Sequence, residues 1–292
     1  MVIEAVLATF HLFVAGLAGG GPLLVAGLRL WWRRMETEPA SDAGLRQLAV
    51  WSVGAVVLAA MTGLVAGAWR AGVGQGGYLE MLARFPARAY AMVAIEWVFS
   101  IACYGGWLAL WNRWSQKPWR HGLLALLGAT NLLYHFPLLM ISQNLLVEQP
   151  NLVAGSVVAR PLVVQLFHTP LVMAKASHIW AMCMLVSSCG LLMAAPVVRL
   201  HRVAGVVGLV ALVVQFVSGA AVLGCLPADQ TQRITGGSIL ATALLVLGVL
   251  MGIHLLMSFA KLALNPASPA KPGLVSGMVV GVMLLMSLAA RL

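Results

Sequence analysis

Long apolar runs dominate the chain, and the charged residues collect in short stretches between them. Each run reaches about 20 residues, the length that an α-helix needs to cross about 30 Å of hydrocarbon. A transmembrane β-barrel would instead show short segments of alternating polarity. The pattern predicts an all-α polytopic membrane protein, with about eight transmembrane helices in a bundle at roughly 3–31, 47–69, 89–112, 122–143, 171–198, 203–225, 238–260 and 273–290.

Composition supports a chain that is embedded in a lipid bilayer as one domain, residues 1–292. The chain is 61% hydrophobic and 9% charged, whereas a soluble domain has roughly 45–50% apolar and about 25% charged residues. The formal net charge is +10, but the arginines are spread singly over short loops without a nucleic-acid-binding motif, which argues against a nucleic-acid partner. The 4 cysteines fall in or beside apolar runs, which is typical of small buried side chains.

Basic residues are more frequent in the odd-numbered connections between spans than on the other side. Because loops rich in Lys and Arg stay in the cytoplasm, we expect both termini on the outer side of a bacterial inner membrane. The odd connections hold Arg29, Arg33, Arg34, Arg46, Arg113, Lys117, Arg120, Arg199, Arg202, Lys261 and Lys271, and the other side holds Arg70, Arg84, Arg88, Arg160, Arg233 and Arg291.

Several ionisable side chains interrupt the apolar spans, although each costs about 2.5–3.5 kcal/mol at the bilayer centre and therefore needs a reason. With the topology above, most of them lie at one level towards the outer face, and one lies towards the cytoplasm. The outer set is His11, Glu96, His135, Lys175 and His178, with His168 just ahead of span five, and the inner residue is His254.

Three mechanisms would use such a layer. Histidine is an axial ligand of haem iron, and facing helices of a bundle are where such sites are built. A proton pathway needs acids through the whole thickness, and Glu96 is the only deep acid. A hydrogen-bonded network would only cross-link helices. Zinc is disfavoured because the chain has no paired histidine or thiolate spacing, and the shared depth of the histidines favours haem.

Short motifs accompany these side chains in chain order. They are His11 followed by Leu12-Phe13-Val14, then Thr62-Gly63-Leu64, Ala94-Ile95-Glu96, Leu127-Gly128, Asn131-Leu132, and Pro170 with Lys175 and His178 in a Pro-x4-Lys-x2-His spacing. In order and spacing these motifs resemble subunit I of the cytochrome bd quinol oxidases over roughly residues 1–262. The resemblance implies membrane haem b with His178 as an axial ligand. Phe167-His168-Thr169 also resembles that site, so His168 is an alternative in register.

The chain departs from this family at residues that would complete an oxygen-reducing centre. The long quinol-binding loop after span six is nearly absent, since only Cys225 to Arg233 is available, and the Gly-Arg-Gln-Pro-Trp motif is missing. Thr235 stands where the haem-ligating methionine would be, Tyr104 replaces a second acid, and span eight has no glutamate. The resemblance therefore implies a divergent relative with a reduced haem set.

From the resemblance we expect a membrane b-type cytochrome subunit of a respiratory electron-transfer complex. It would pass electrons between the quinone pool and an outer-face partner such as a periplasmic c-type cytochrome. The alternatives are a bd-type terminal quinol oxidase subunit, a proton-coupled transporter and a cofactor-free membrane anchor. The expected cofactor-binding residues are His178 and His11 as ligands of haem iron, with Glu96, His168, His135 and Lys175 around them.

Overall fold

A computed structural model describes residues 2–32, 39–73, 77–114, 117–153, 155–194, 197–267 and 271–292. Eight helices in these ranges are long and apolar enough to cross a membrane, namely α1, α2, α4, α5, α7, α8, α10 and α11, which confirms the predicted polytopic all-α bundle. The helices are α1 (Val2–Trp32), α2 (Pro39–Gly72), α3 (Tyr78–Ala83), α4 (Ala87–Ala109), α5 (Pro118–Glu148), α6 (Arg160–Phe167), α7 (Pro170–Ala194), α8 (Val198–Cys225), α9 (Ala228–Gln232), α10 (Ile239–Leu264) and α11 (Pro272–Ala289).

Some helices extend beyond the apolar runs that predicted them. The described part of the second begins at Pro39, ahead of residue 47, and the fourth spanning helix covers Pro118–Glu148 rather than 122–143. The latter starts on a proline, which suits the first helical position because its missing N–H is not needed there. Hydropathy marks only the part of a helix that lies in hydrocarbon. Residues 33–34 and 195–196, which entered the charge count and the predicted end of span five, lie outside the described residues.

The eight spanning helices form two four-helix bundles. In bundle 1, α1, α2, α4 and α5 pack as a ring, and in bundle 2, α7, α8, α10 and α11 do the same. Helices α1 and α7 pack against each other and join the two bundles. At this junction a Cβ on Gly20 would collide with the Cys183 carbonyl and the Ser187 hydroxyl. A small residue therefore sets the close approach of the two central helices, as is common in membranes.

Both ends of the described chain lie at the same end of the molecule, which we call the terminus end; the opposite end is the far end. Glu4 of α1 links them, because its carboxylate lies 3.0 Å from Arg70 Nε and 3.6 Å from Arg291 Nε. Arg70 also donates to Asn144 Oδ1 at 2.9 Å. Burial lowers the pKa of Arg291, and the Glu4 carboxylate opposes that change. The cluster ties α1, α2, α5 and the end of α11 together.

A second polar cluster lies at the far end of bundle 1, around the fully buried ring of His121. His121 Nδ1 accepts hydrogen bonds from Arg29 Nη1 (2.9 Å) and Trp107 Nε1 (3.1 Å), and its Nε2 donates to the Trp107 carbonyl at 2.7 Å. The Arg29 guanidinium lies 4.1 Å above the Trp111 ring, whose Nε1 donates to Asp42. Both ring nitrogens of His121 are thus satisfied within the protein.

Candidate functional site

The terminus halves of α2 and α4 are less buried than their far halves. No residue of 57–72 on α2 or of 87–99 on α4 is buried, although both segments are described in full. The far halves of the same helices contain fully buried side chains, including Leu48, Tyr104 and Trp107. Along these segments α2 and α4 contact their neighbours without enclosing any side chain completely. The terminus halves of these two helices are therefore more open to the bilayer than their far halves.

Four of the predicted site residues lie in this half of the molecule, at similar depths. With a rise of 1.5 Å per residue, His11, Glu96 and His178 lie about 12–14 Å along their helices from the terminus end, and His135 about 20 Å. The common depth agrees with the sequence-based layer. Depth alone does not bring the side chains together, and their partners differ.

His11 packs against α2 through one ring nitrogen. Its Nδ1 lies 3.0 Å from the Ala59 carbonyl oxygen and 3.2 Å from Thr62 Oγ1. The carbonyl can only accept, and the Thr62 hydroxyl already donates to the Leu58 carbonyl at 2.9 Å. Nδ1 is therefore the protonated nitrogen and the donor. Nε2 carries the lone pair, and within the described residues it has no hydrogen-bond partner.

His178 makes the equivalent contact in bundle 2. Its Nδ1 lies 3.2 Å from Ser218 Oγ on α8, and the Ser218 hydroxyl donates to the Val214 carbonyl at 2.6 Å. Because the only hydroxyl proton is already used, His178 Nδ1 must be the donor. Nε2 again carries the lone pair, with no partner in the described part of the chain. Gln215 fixes the helix at this point by donating to the His178 carbonyl at 2.9 Å.

The two histidines share a local arrangement that the sequence analysis did not identify. Each ring lies against a hydroxyl–glycine pair on the next spanning helix, Thr62-Gly63 for His11 and Ser218-Gly219 for His178. A Cβ added to Gly63 would lie 3.0 Å from His11 Cε1, and one added to Gly219 would lie 3.4 Å from His178 Cε1. The hydroxyl orients the ring and the glycine leaves space for its edge. Each bundle thus holds one histidine in the same way.

Glu96 and His135 lie together on facing sides of α4 and α5. His135 Nδ1 is 3.3 Å from Glu96 Oε1 and 3.1 Å from Asn131 Oδ1. Asn131 Nδ2 donates to the Glu96 carbonyl (2.8 Å) and to Ser100 Oγ (2.9 Å), so its oxygen is the acceptor for the His135 Nδ1 proton. The His135 side chain is 41% exposed on the surface of bundle 1. This pair has the groups needed to exchange a proton.

His168 and Lys175 lie nearer to the terminus end. His168 is exposed at the end of α6, with Nδ1 2.8 Å from the Val164 carbonyl oxygen, so it too presents a free Nε2. Lys175 is partly buried on α7 and has no partner among the residues that are described. His254 on α10 is exposed, with no side-chain hydrogen bond in the described ranges.

The structure brings only Glu96 and His135 into direct contact. His11 faces α2, and His178 faces α8 in the other bundle, so the predicted histidines do not converge on one point. In the described parts of the chain, no three His, Cys, Asp or Glu side chains are grouped so that they could hold a metal ion by themselves. A haem iron requires only axial ligands from the protein. Single histidines with a free Nε2 fit that requirement.

Three residues with important contacts in the structure were not identified from the sequence. His121 borders the fourth apolar run and was not counted among the intramembrane groups, although it is the best-packed histidine of the chain. Ser218 and Gly219 were missed because the prediction concentrated on ionisable side chains within the spans, and neither residue is ionisable. A signal was present, since the Ser-Gly pair in the sixth span repeats the Thr-Gly pair in the second.

No family model matches the chain. A search of the curated proteins also found no match. The resemblance to cytochrome bd subunit I therefore stays a prediction that rests on the motifs quoted above.

Proposed function

We propose that the chain is a membrane b-type cytochrome subunit that passes electrons between the quinone pool and a redox partner. His11 of bundle 1 and His178 of bundle 2 would each hold the iron of a separate haem through Nε2. Bound haem supplies reversible one-electron chemistry at a potential that its ligands and surroundings tune. The protein's part is to hold, orient and shield the group.

The hydrogen bonds of the histidines are the observation that carries this proposal. A histidine that ligates a metal usually donates its other ring N–H to an oxygen, which fixes the tautomer and makes the ligating nitrogen more basic. His11 and His178 both have this pattern, with Nδ1 on a carbonyl or hydroxyl oxygen and Nε2 open. His121 has the opposite pattern, because both of its nitrogens bond to the protein.

The incomplete burial of α2 and α4 in the terminus half supports the same proposal. Residues 57–72 and 87–99 include no buried side chain, so an apolar group bound against these segments would cover exposed surface. Cofactor sites of helix bundles are built from side chains on facing helices. Glu96, at the depth of His11 and on a facing helix, would be the second protein ligand or the proton acceptor beside it.

The partner and the membrane follow from the charge bias. More Lys and Arg lie at the far end than at the terminus end, so we place the terminus end outside a bacterial inner membrane. Both histidines are then closer to the periplasmic face, and a periplasmic c-type cytochrome or another respiratory subunit is the natural partner. Lys175, one turn before His178, would pair with a haem propionate. The connection between α8 and α10 holds only α9 and one helical turn, so a quinol would bind elsewhere.

An absorption spectrum of the purified protein tests the proposal. The protein is isolated in detergent from haem-replete bacteria, and the dithionite-reduced spectrum is compared with the oxidised one. We expect a Soret band and sharp α and β bands on reduction. A colourless preparation would contradict the proposal and leave the transporter and anchor alternatives.

A matched pair of variants then tests the ligand. His178→Ala is expected to remove the absorbance of a whole haem. His254→Ala replaces an exposed intramembrane histidine without a side-chain hydrogen bond, and it should leave the spectrum unchanged. The reverse outcome would show that ring orientation and depth do not mark the ligands.

A further inference from the structure

A groove runs along the membrane-facing side of α7 and α8. Its volume is about 540 Å³, and apolar side chains form almost all of its wall. Ser177, Ala181 and Met184 line it from α7, and Val206, Val210 and Val214 line it from α8. Small and β-branched side chains fill little of the groove, so it is open to a hydrocarbon chain from the bilayer. The His178 ring bonds to Ser218 and does not line the groove.

The groove lies at mid-membrane depth, within reach of one acyl chain that enters from the far end. On α8 the wall begins at Val206, about 6 Å along the helix from Arg202, and ends at Val214, about 18 Å from Arg202. One leaflet contributes about 15 Å of hydrocarbon. An acyl chain whose headgroup lies at the level of Arg202 therefore covers the groove over most of its length.

The charge at the far end of the groove indicates the headgroup. Arg202 is exposed, lies four residues before Val206 on the same face of α8, and has no partner among the described residues. Arg199 lies one turn earlier, at the start of the same helix. The sequence from 149 to 228 contains no Asp or Glu. Basic positions beside an inter-helix groove attract anionic lipid headgroups.

We infer that the α7–α8 groove is a binding site for one anionic phospholipid, with an acyl chain along Val206, Val210 and Val214 and its phosphate at Arg202. The inference does not rest on the proposed haem function, because neither His11 nor His178 lines the groove. The bound lipid would cover the contact between α7 and α8 on the side that faces the bilayer.

Native mass spectrometry of the detergent-purified chain tests this inference. The protein is titrated separately with phosphatidylglycerol and with phosphatidylcholine of identical acyl chains. We expect one phosphatidylglycerol to be retained at least about fivefold more tightly than phosphatidylcholine, which is the effect of one arginine near an anionic headgroup. Equal retention of the two lipids, preferential retention of a quinone, or a second copy of the chain in the groove would overturn it.

Two pairs of variants locate the site. Arg202→Ala should abolish the headgroup preference, whereas Arg46→Ala removes an exposed far-end arginine from α2 and should not. Val210→Trp fills the groove and should reduce retention, whereas Val213→Trp, on the same helix but outside the groove, should not. If Val210→Trp does not fold, Val206→Phe fills the same groove one turn away. Retention unchanged in the folded groove variant would contradict the inference.

Discussion

The two halves of bundle 1 satisfy their polar groups in different ways. In the far half, the His121 ring bonds through both nitrogens, and Arg29 and Trp107 complete its surroundings. In the terminus half, His11 and His135 bond only through Nδ1, beside helix segments that bury no side chain. In the far half both ring nitrogens of the histidine bond within the protein, whereas among the described residues of the terminus half only Nδ1 of each histidine does.

This difference between the two halves indicates where a functional site should be sought. Polar atoms in hydrocarbon need partners from within the protein or from something bound to it. The free Nε2 of His11 in the terminus half is where the proposed haem would bind. We expect substitutions in the far half to change stability and substitutions in the terminus half to change cofactor content. The predictions below test that separation, beginning with the largest expected effect.

Trp107→Ala should destabilise the protein by about 3–5 kcal/mol, because it leaves a cavity at a fully buried site and removes a donor to His121. Unfolding in mixed detergent–SDS micelles, followed by circular dichroism, measures the change. Trp119→Ala, at an exposed site on α5, should cost less than about 0.5 kcal/mol. Haem content per folded chain should be the same in both. Equal destabilisation by the two variants would contradict the special role of the far half.

Ser218→Ala should weaken haem binding in bundle 2 by about 10–100-fold, because it removes the oxygen that orients His178 Nδ1. Ser218→Thr keeps the hydroxyl and should restore binding. Titration of haem into haem-depleted protein, followed at the Soret band, measures the affinity. If the alanine and threonine variants bind haem equally well, the hydroxyl does not position the ligand.

Glu96→Gln should lower the free energy of unfolding in mixed detergent–SDS micelles by only about 0.6 kcal/mol. This value is typical of a polar contact between membrane helices. The substitution keeps the shape of the side chain and weakens the contact with His135, which is partly exposed in any case. A loss comparable to that of Trp107→Ala would show that the terminus half also carries the stability of bundle 1.

Gly63→Ala should have the smallest effect. A new Cβ would lie 3.0 Å from His11 Cε1, so the ring must shift by a few tenths of an ångström. Gly54→Ala, on the same helix with no atom within 4 Å of its Cβ, should stabilise α2 by roughly 0.5–1 kcal/mol. Gly63→Ala should stabilise α2 by less than Gly54→Ala does. It should also alter the absorption of the bundle 1 haem. Identical spectra and stabilities would place His11 outside any cofactor site.

The sequence was sufficient to predict the spans, because lipid imposes length and hydropathy on each helix separately. It was insufficient for the arrangement of the side chains, which depends on how helices pack. His121 was overlooked because it borders an apolar run, yet Arg29 and Trp107 from two other helices surround it. The common depth of His11 and His178 followed from their positions along the chain. Their separation into two bundles did not, since no local pattern encodes it.

The helix ends show the same limit. The start of α5 at Pro118 lies in a polar stretch, where a proline at the first helical position was a usable signal that hydropathy ignores. The Thr62-Gly63 pair was noticed only through a family resemblance. Ser218-Gly219, which has the same relation to His178, acquires meaning only when the two bundles are compared.

The number of haems per chain tests the central claim most directly. Pyridine haemochrome assays of purified wild-type protein, His11→Ala, His178→Ala and the double variant would give this number beside the protein concentration. We predict that each single variant loses one haem and that the double variant retains none. Full haem content in both single variants, or no haem in the wild-type protein, would contradict the account.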